Sequence, residues 1–505
     1  MVYGRSGRLT LVPALLLLAA SAAAVAQRDE LASDSQRAKR MMEAGRYDEA
    51  VPLYLRLVKA IPGNSGLLLN LGLAQHMAGR EREAIPNLEA VVRAQPRLTP
   101  ALIALGAARL SLDQPQQAVS PLRKAVAIQP ENPDARGMLA QALGGIQHFD
   151  EAAEQFRKLT ELARQDPRAW YGLGASYESI AGGAFDRLRS QGADSPYVAA
   201  LIADTRVQRH QYNSAFFFYR EALKQLPGLH GVHAALADVY RKTGHPDWGA
   251  AEDGKERALP APDCMAHPAE CQFIGGHDLQ AIKLTGAGKA APEVLYWQAK
   301  AANELALQAF FTLGNLPPSV ELHRLRAEIA RNHNQHLEAV KEWRAALALS
   351  PGDPGLKQEL AVSLFMAQDF RGAIEEAAPL LAADSQSPEL NFVTGDSYLR
   401  LEEPGKAAPH LQTALVADPK LLAAHASLGL ALSRLDKSGE AIPHLEKALP
   451  LDDDGNLHYQ LARAYQASGE REKAREAMTQ YQRILKTNRE QKAEAAREAQ
   501  IAPPQ

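Results

Sequence analysis

The sequence predicts an all-α fold in which helical hairpins stack one on the next, and three observations predict it. A motif recurs every 34 residues: Gly45-Arg46-Tyr47-Asp48-Glu49-Ala50 is followed by Gly79-Arg80-Glu81-Arg82-Glu83-Ala84, and Pro62, Pro96 and Pro130 keep the same step. The 505 residues are 46% hydrophobic but only 6% aromatic, a balance that suits thin helix-on-helix packing better than a large β core. The chain is also too long for one ordinary core, which leaves several domains or a repeat array. Its 31 prolines are then expected mostly between helices, because a proline in a helix interior costs about 3 kcal/mol.

Taken in chain order, residues 1–26 read as an export signal. Arg5 and Arg8 give a basic start, Leu9 to Ala20 an apolar stretch, and Ala24-Val25-Ala26 a small-x-small site with cleavage expected before Gln27. A retained membrane anchor is the alternative, although the apolar run is shorter than the ~20 residues a span needs. No cysteine follows to carry a lipid. The mature chain is expected to be soluble, exported and periplasmic or extracellular, with no stable membrane span.

Regular units are expected at 31–64, 65–98, 99–132, 133–166, 196–229, 230–261, 320–353, 354–387, 388–421, 422–454 and 455–488. Gly72, Gly106, Gly174, Gly395 and Gly429 fall at one point of a first helix. Ala50, Ala84, Ala118, Ala152, Ala215, Ala339, Ala373, Ala407 and Ala441 fall at one point of a second. Small side chains there let two helices cross closely. Bulkier residues such as Tyr54, Leu88, Leu122, Phe156, Tyr219, Trp343, Leu411 and Leu445 fill the remaining space.

These residues resemble the tetratricopeptide repeat, whose pattern runs W-x2-L-G-x2-Y, then A-x3-F, then P. The stretch Trp170-Tyr171-Gly172-Leu173-Gly174-Ala175-Ser176-Tyr177 matches the first-helix pattern in full, while most units lack the tryptophan. The resemblance, to family members of the exported bacterial type, implies a right-handed superhelical solenoid of helix-turn-helix repeats that binds other proteins or peptide segments and uses no cofactor. The N-terminal array is expected over 27–261, with a short irregular unit at 167–195. The C-terminal array is expected over 292–488, with a similar short unit at 292–319. Each short unit is expected to join a first helix to an atypical or partly fused second one. The last unit of a stacked array needs a polar cap, and residues 470–500, with Met478, Tyr481 and Ile484 on one face, suit that role. A polar tail follows over 489–505, and Pro503-Pro504 is expected to fray.

Between the arrays, residues 262–291 lose the register amid prolines and glycines and read as a linker, although Glu270 to Leu284 could form a shorter helical pair. Cys264 and Cys271, the only cysteines, lie here. Export would expose them to an oxidising compartment, so a disulfide is expected, with two free buried thiols as the alternative. Closing so short a loop contributes at most about 2 to 3 kcal/mol. His267 and His277 are near, but a C-x6-C spacing is not that of a structural zinc site, and no metal is expected.

Catalytic patterns are absent from the sequence. Gly286-Ala287-Gly288-Lys289 looks like the end of a phosphate loop, but Lys283 stands where its first glycine belongs and Ala290 where a magnesium-binding hydroxyl belongs. The 15 histidines fall largely at repeat-equivalent places, as with His410 and His444, which points to packing rather than ligation. Acidic runs such as Asp452-Asp453-Asp454 and Glu375-Glu376 read as solvated turns or helix ends. Tyr212, Phe216, Phe217, Phe218 and Tyr219 read as the core of one repeat. Fifty-six basic against 59 acidic residues give a net charge of −3, so no bulk field draws the chain onto nucleic acid or an anionic membrane.

The resemblance further implies that first helices line the inner groove. Residues about four apart would then project into it: Leu69, Leu73, Met77, Ile103 and Leu110 form an apolar strip, and Arg324, Glu328, Arg331, Asp396 and Arg400 a polar one. The first strip would accept an apolar or helical partner segment, unless it simply packs between repeats, and the second would set register and on-rate. A non-catalytic scaffold or assembly factor of the cell envelope is the leading expectation. An accessory subunit of polysaccharide or outer-membrane export machinery is the alternative. An enzyme with added repeats is disfavoured, because only about 30 residues, 262–291, lie outside the repeats.

Overall fold

The structure, a computed structural model, describes residues 12–284, 290–498 and 500–504. Among these are 26 α-helices, one 3-10 turn and no strand, so the chain is an all-α solenoid of consecutive helical pairs. Arg5, Arg8 and the Gly286–Lys289 run lie outside the described residues. Among those described, no helix is long and apolar enough to cross a membrane.

Contacts divide the chain into two compact units, Met1–Ser179 and Ile180–Gln505. The first holds α1 (Val12–Glu43), α2 (Tyr47–Ala60), α3 (Ser65–Met77), α4 (Glu81–Ala94), α5 (Thr99–Ser111), α6 (Pro115–Ile128), α7 (Pro133–Gly145) and α8 (Phe149–Leu162). The helix α9 (Pro167–Gln191) carries the boundary. The second unit continues with α10 (Pro196–Gln208), α11 (Tyr212–Gln225), α12 (Val232–Lys242), α13 (Pro246–Ala258), α14 (Pro268–Ile274), α15 (Asp278–Lys283) and α16 (Pro292–Gly314). It ends with α17 (Val320–Asn332), α18 (His336–Leu349), α19 (Pro354–Met366), α20 (Phe370–Ala383), α21 (Pro388–Arg400), α22 (Pro404–Ala417), α23 (Leu422–Arg434), α24 (Ser438–Ala448), α25 (Asn456–Ala467) and α26 (Arg471–Glu498).

One backbone device makes every regular hairpin. The fifteenth residue of each unit has a positive φ: Gly45, Gly79, Asp113, Gln147, His210, Gly244, Asn334, Gln368, Glu402, Asp436 and Gly469. The next residue returns its N–H to the carbonyl five back, as Arg80 does to Gln75 at 2.8 Å and Asp369 to Leu364 at 2.9 Å. This Schellman closure satisfies the end of the first helix and reverses the chain into the second. Gly276, at φ 71°, repeats it between α14 and α15, with His277 N–H donating to Gln272 O at 2.8 Å. The linker reading of 262–291 is thereby corrected: the segment holds a shortened hairpin with the ordinary turn. The two irregular units lack the device because each is one unbroken helix, α9 and α16, so fusion is complete rather than partial.

Packing inside each pair follows the small-residue register. The nine alanines of the second helices are at most 1% exposed, which leaves no room for a larger side chain at their point of crossing. A Cβ added at Gly106 would fall 2.4 Å from Leu122 Cγ, and those at Gly72, Gly395 and Gly429 would fall 2.7 Å from Leu88, Leu411 and Leu445. Close approach of the helices thus depends on the missing methyl.

Most prolines lie between helices or in a first turn, as expected, but six do not. Pro52, Pro86, Pro121, Pro379, Pro409 and Pro443 lie inside second helices. All but Pro121 sit on exposed faces, where water can take the carbonyl that each leaves without its N–H partner. Pro121 is buried, and the carbonyl it frees, that of Gln117, accepts from Arg109 Nη1 at 2.7 Å.

The far end also differs. Helix α26 runs through to Glu498 and covers the last hairpin, with Met478 against its core and Tyr481 against Gly455. The part of the expected polar tail that precedes Glu498 is therefore helical. Nor do residues 501–504 fray: Ile501 and Ala502 pack against the core formed around α10–α12. Apolar burial holds that segment where composition alone suggested a loose end.

Candidate partner-binding surfaces

In the first unit the expected apolar strip is partly open. Met77 is 49% exposed, whereas Leu69, Leu73, Ile103 and Leu110 are half-buried against the cores between repeats. Leu73 and Ile103 border a groove of about 300 Å³ that runs from α3 across α5 to α7, with Thr99, Ala104, Ala107 and Met138 completing its largely apolar wall. First helices therefore do converge on one cleft, but of the strip only Leu73 and Ile103 line it; Leu69 and Leu110 pack between repeats, and Met77 is exposed outside it.

In the second unit the expected polar strip is largely self-paired. Arg331 on α17 bonds Glu359 on α19 at 2.8 Å. Asp396 is 3% exposed, and its carboxylate accepts from Ser427 on α23 at 2.6 Å and from Arg400 at 3.2 Å. Arg434 donates to Leu399 O at 2.9 Å. Arg324 and Glu328 are half-buried and engaged as well. The picture of Asp396 as an open groove residue is corrected: it links neighbouring first helices, because burial demands a partner for each charged atom. Arg400 alone of that set is exposed.

Two histidines, His233 and His425, stand in for the motif's tryptophan, as do an arginine and an asparagine. Trp170, fourth in its unit, donates its indole N–H to the carbonyl six residues back, that of Arg164, at 2.8 Å. At the same fourth place Arg136 bonds Pro130 O, Asn391 bonds Ser385 O at 2.9 Å, His233 bonds Pro227 O at 3.2 Å and His425 bonds Pro419 O at 3.1 Å. Each also meets a polar residue 19 further on: Gln155, His410, Glu252 and His444 respectively. Burial alone would raise the pKa of Glu252, but hydrogen bonds from His233 and Lys255 prevail and hold it below the usual range. Burial depresses His410, and burial with the neighbouring His425 depresses His444. Equivalent spacing marks His410 and His444 in the sequence; they serve as partners of Asn391 and His425, which the carbonyl six residues back holds.

Cys264 and Cys271 form a disulfide with Cα atoms 5.5 Å apart, which removes both from any metal site. Within the loop it closes, His267 and Glu270 approach Glu293, their polar atoms lying within 4.8 Å of one another. Acid and base answer each other there: His267 Nδ1 is 2.8 Å from Glu293 Oε2, and Glu270 meets His230 at 2.8 Å. The hydrogen bond to Glu293 raises the His267 pKa. Of the aromatic run, Phe216 and Tyr219 are buried, and the Tyr219 hydroxyl donates to Asp204 at 2.7 Å. Asp452 is buried and caps α25 through the N–H groups of Leu457 and His458, a role more specific than a solvated turn.

Family models described as tetratricopeptide repeat match residues 109–176, residues 35–98, 359–421 and 392–456, and residues 455–484. No curated protein matches the sequence. Among solved structures, a tetratricopeptide repeat protein from Parabacteroides merdae ATCC 43184 is 14% identical, covers 66% of this chain and 99% of its own, and has a TM-score of 0.32. MamA from Desulfovibrio magneticus RS-1, from its residue 41 onward, is 19% identical, with 33% and 96% covered and a TM-score of 0.31. Another MamA structure is 19% identical, with 37% and 98% covered and a TM-score of 0.29. At such scores none of them bears on function. The family matches, together with the hairpin register, establish that this chain carries tetratricopeptide repeats in each of its two compact units.

Proposed function

We propose that the chain is a non-catalytic scaffold of the cell envelope that captures a segment of another protein in the first-helix groove of its first unit. The observation that carries this reading is the apolar cleft bordered by Leu73, Ile103 and Met138 across three successive first helices. Such a cleft suits apolar side chains spaced along a helical or extended segment, and apolar burial supplies the affinity. The sequence carries none of the patterns that bring a nucleophile, a base and an oxyanion donor together. Most of the buried polar groups described above serve helix ends and neighbouring repeats.

The test is capture from native envelope extract by the immobilised chain, with mass spectrometry of what is retained. Met77→Asp together with Leu73→Asp is expected to remove the retained partner at least ~tenfold while leaving the helical signal and melt unchanged. Unfolding of that variant would assign both residues to the core, and an unchanged catch would remove the groove from the reading. Export has its own test: a chain recovered from the periplasmic fraction should begin at Gln27, and an intact Met1 end would overturn cleavage.

A further inference from the structure

The segment that follows α26 lies on the helices of its own unit. Ile501 and Ala502 join the core around α10–α12, and the Tyr240 hydroxyl donates to the carbonyl of Ala502 at 2.7 Å. Pro503 and Pro504 form one wall of a cleft of about 390 Å³, facing Arg220, Lys224 and Lys255 among others. We infer that the surface shared by α11, α12 and α13 is a binding site for an extended peptide of the kind aliphatic, small, proline, proline, and that residues 501–504 occupy it as an internal competitor.

Three features argue for a recognition site rather than incidental packing. First, α13 departs from the repeat. It carries Asp253 where other second helices carry Leu88, Leu122 or Tyr219, and among the described residues it gives the core around α10–α12 only Trp248. Apolar surface on α12 is thus left for Ile501 and Ala502 to cover. Second, the one hydrogen bond described runs to a backbone carbonyl, which any peptide of the same shape can supply. Burial pushes the Tyr240 hydroxyl up to about 12, so it remains a donor at any physiological pH. Third, two prolines suit the place. Their fixed φ keeps the segment extended at little ordering cost, and they bring no N–H to be buried unpaired. Lys224 pairs with Glu221 at 3.8 Å and Lys255 with Glu252 at 2.9 Å, which leaves Arg220, over the Phe216 ring, as the cation that favours a partner with an acidic residue after its prolines.

An internal occupant acts at a high effective concentration, so a peptide in trans binds weakly until the segment is evicted. The probe is a fluorescein-labelled peptide with the sequence of residues 499–505, read by fluorescence polarisation on the full chain. Ile501→Asp with Ala502→Asp should evict the segment and tighten probe binding at least ~tenfold. Adding Tyr240→Phe to that variant should weaken it about fivefold. Leu73→Asp should leave it unchanged, which separates this site from the first-unit groove. In the unaltered chain, excess probe should speed hydrogen exchange at the Ile501 and Ala502 amides. No binding by the evicted chain, equal binding by both chains, or unchanged exchange at saturating probe would each overturn the inference.

Discussion

The crossing of α5 and α6 offers a direct test of why these hairpins close. A methyl added at Gly106 would sit 2.4 Å from Leu122 Cγ, 2.5 Å from Cδ2 and 2.9 Å from Cδ1, and Leu122 is fully buried. Gly106→Ala gains about 1 kcal/mol of helix propensity but overpacks the crossing at a cost of about 1 to 3, a net loss of about 0 to 2 kcal/mol. Leu122→Ala leaves a cavity and costs about 2 to 5 kcal/mol. In the double variant the new methyl lies where the leucine branch was. The clash vanishes, part of the cavity is filled, and the propensity gain is kept, worth together about 2 kcal/mol relative to Leu122→Ala alone. Coupling of at least about 2 kcal/mol is therefore expected from urea unfolding, with hydrogen exchange at the α5 and α6 amides to localise the effect. If the two losses simply add within about 0.5 kcal/mol, close approach is not what the glycine provides.

Further outcomes follow from the turns, the frayed carbonyl and the histidine pair. Replacing Gln147, Gln368 and Glu402, all near φ 60°, by glycine should stabilise the chain by up to about 1 kcal/mol each in thermal melts, since a non-glycine residue is strained there. Arg109→Ala should destabilise α6 by about 0.5 to 1.5 kcal/mol, measured by urea unfolding, because it removes the hydrogen bond to the Gln117 carbonyl beside Pro121. Acid should weaken the α23–α24 hairpin. His425 Nε2–H donates to Pro419 O, so its Nδ1 accepts from His444 Nδ1–H, and two protonated rings would set donor against donor and charge against charge there. The His444 pKa is depressed in the folded chain, so below about pH 6.5 the unfolded chain binds more protons and stability falls as pH drops further. Melts between pH 7 and 5 should show this decline, and His444→Gln should flatten it.

The sequence shows the hairpins wherever a side chain's size enforces them. Ala50 and its eight equivalents mark a crossing where nothing larger fits, and so they announce the register. Turns are legible only at Gly45, Gly79, Gly244 and Gly469. At Gln147 or Glu402 the left-handed residue carries no mark, because a strain of about 1 kcal/mol is absorbed by the packing around it. Nothing in the sequence tells that Pro121 is tolerated inside a helix, because the donor to the carbonyl it frees, Arg109, lies on the preceding one. The candidate groove was half legible. Spacing of four finds the face of a helix but does not tell an open face from one covered by the next repeat, so Leu73 and Asp396 looked alike as groove residues. The docking of Ile501 onto α10–α12 is joined to no periodic marker, since its partners lie more than two hundred residues earlier.

Polar side chains of the second unit explain why recognition should fall unequally between the units. Arg331 with Glu359, and Asp396 with Ser427, hold successive first helices together, and Arg400 steadies the Asp396 carboxylate from its own helix. A partner that took those groups for itself would first have to break bonds that stabilise the array, and an unpaired buried carboxylate such as Asp396 is costly. The cleft of Leu73, Ile103 and Met138 has polar groups in its lining, His76 paired with Glu81 and Asn132 capping α7, but its apolar wall can be covered without breaking either bond. The peptide site on α11–α13 lies between these extremes: its ligand displaces a short segment rather than a structural pair. A repeat array can thus keep one face permanently ready and another conditional, without any change in the helices that build them.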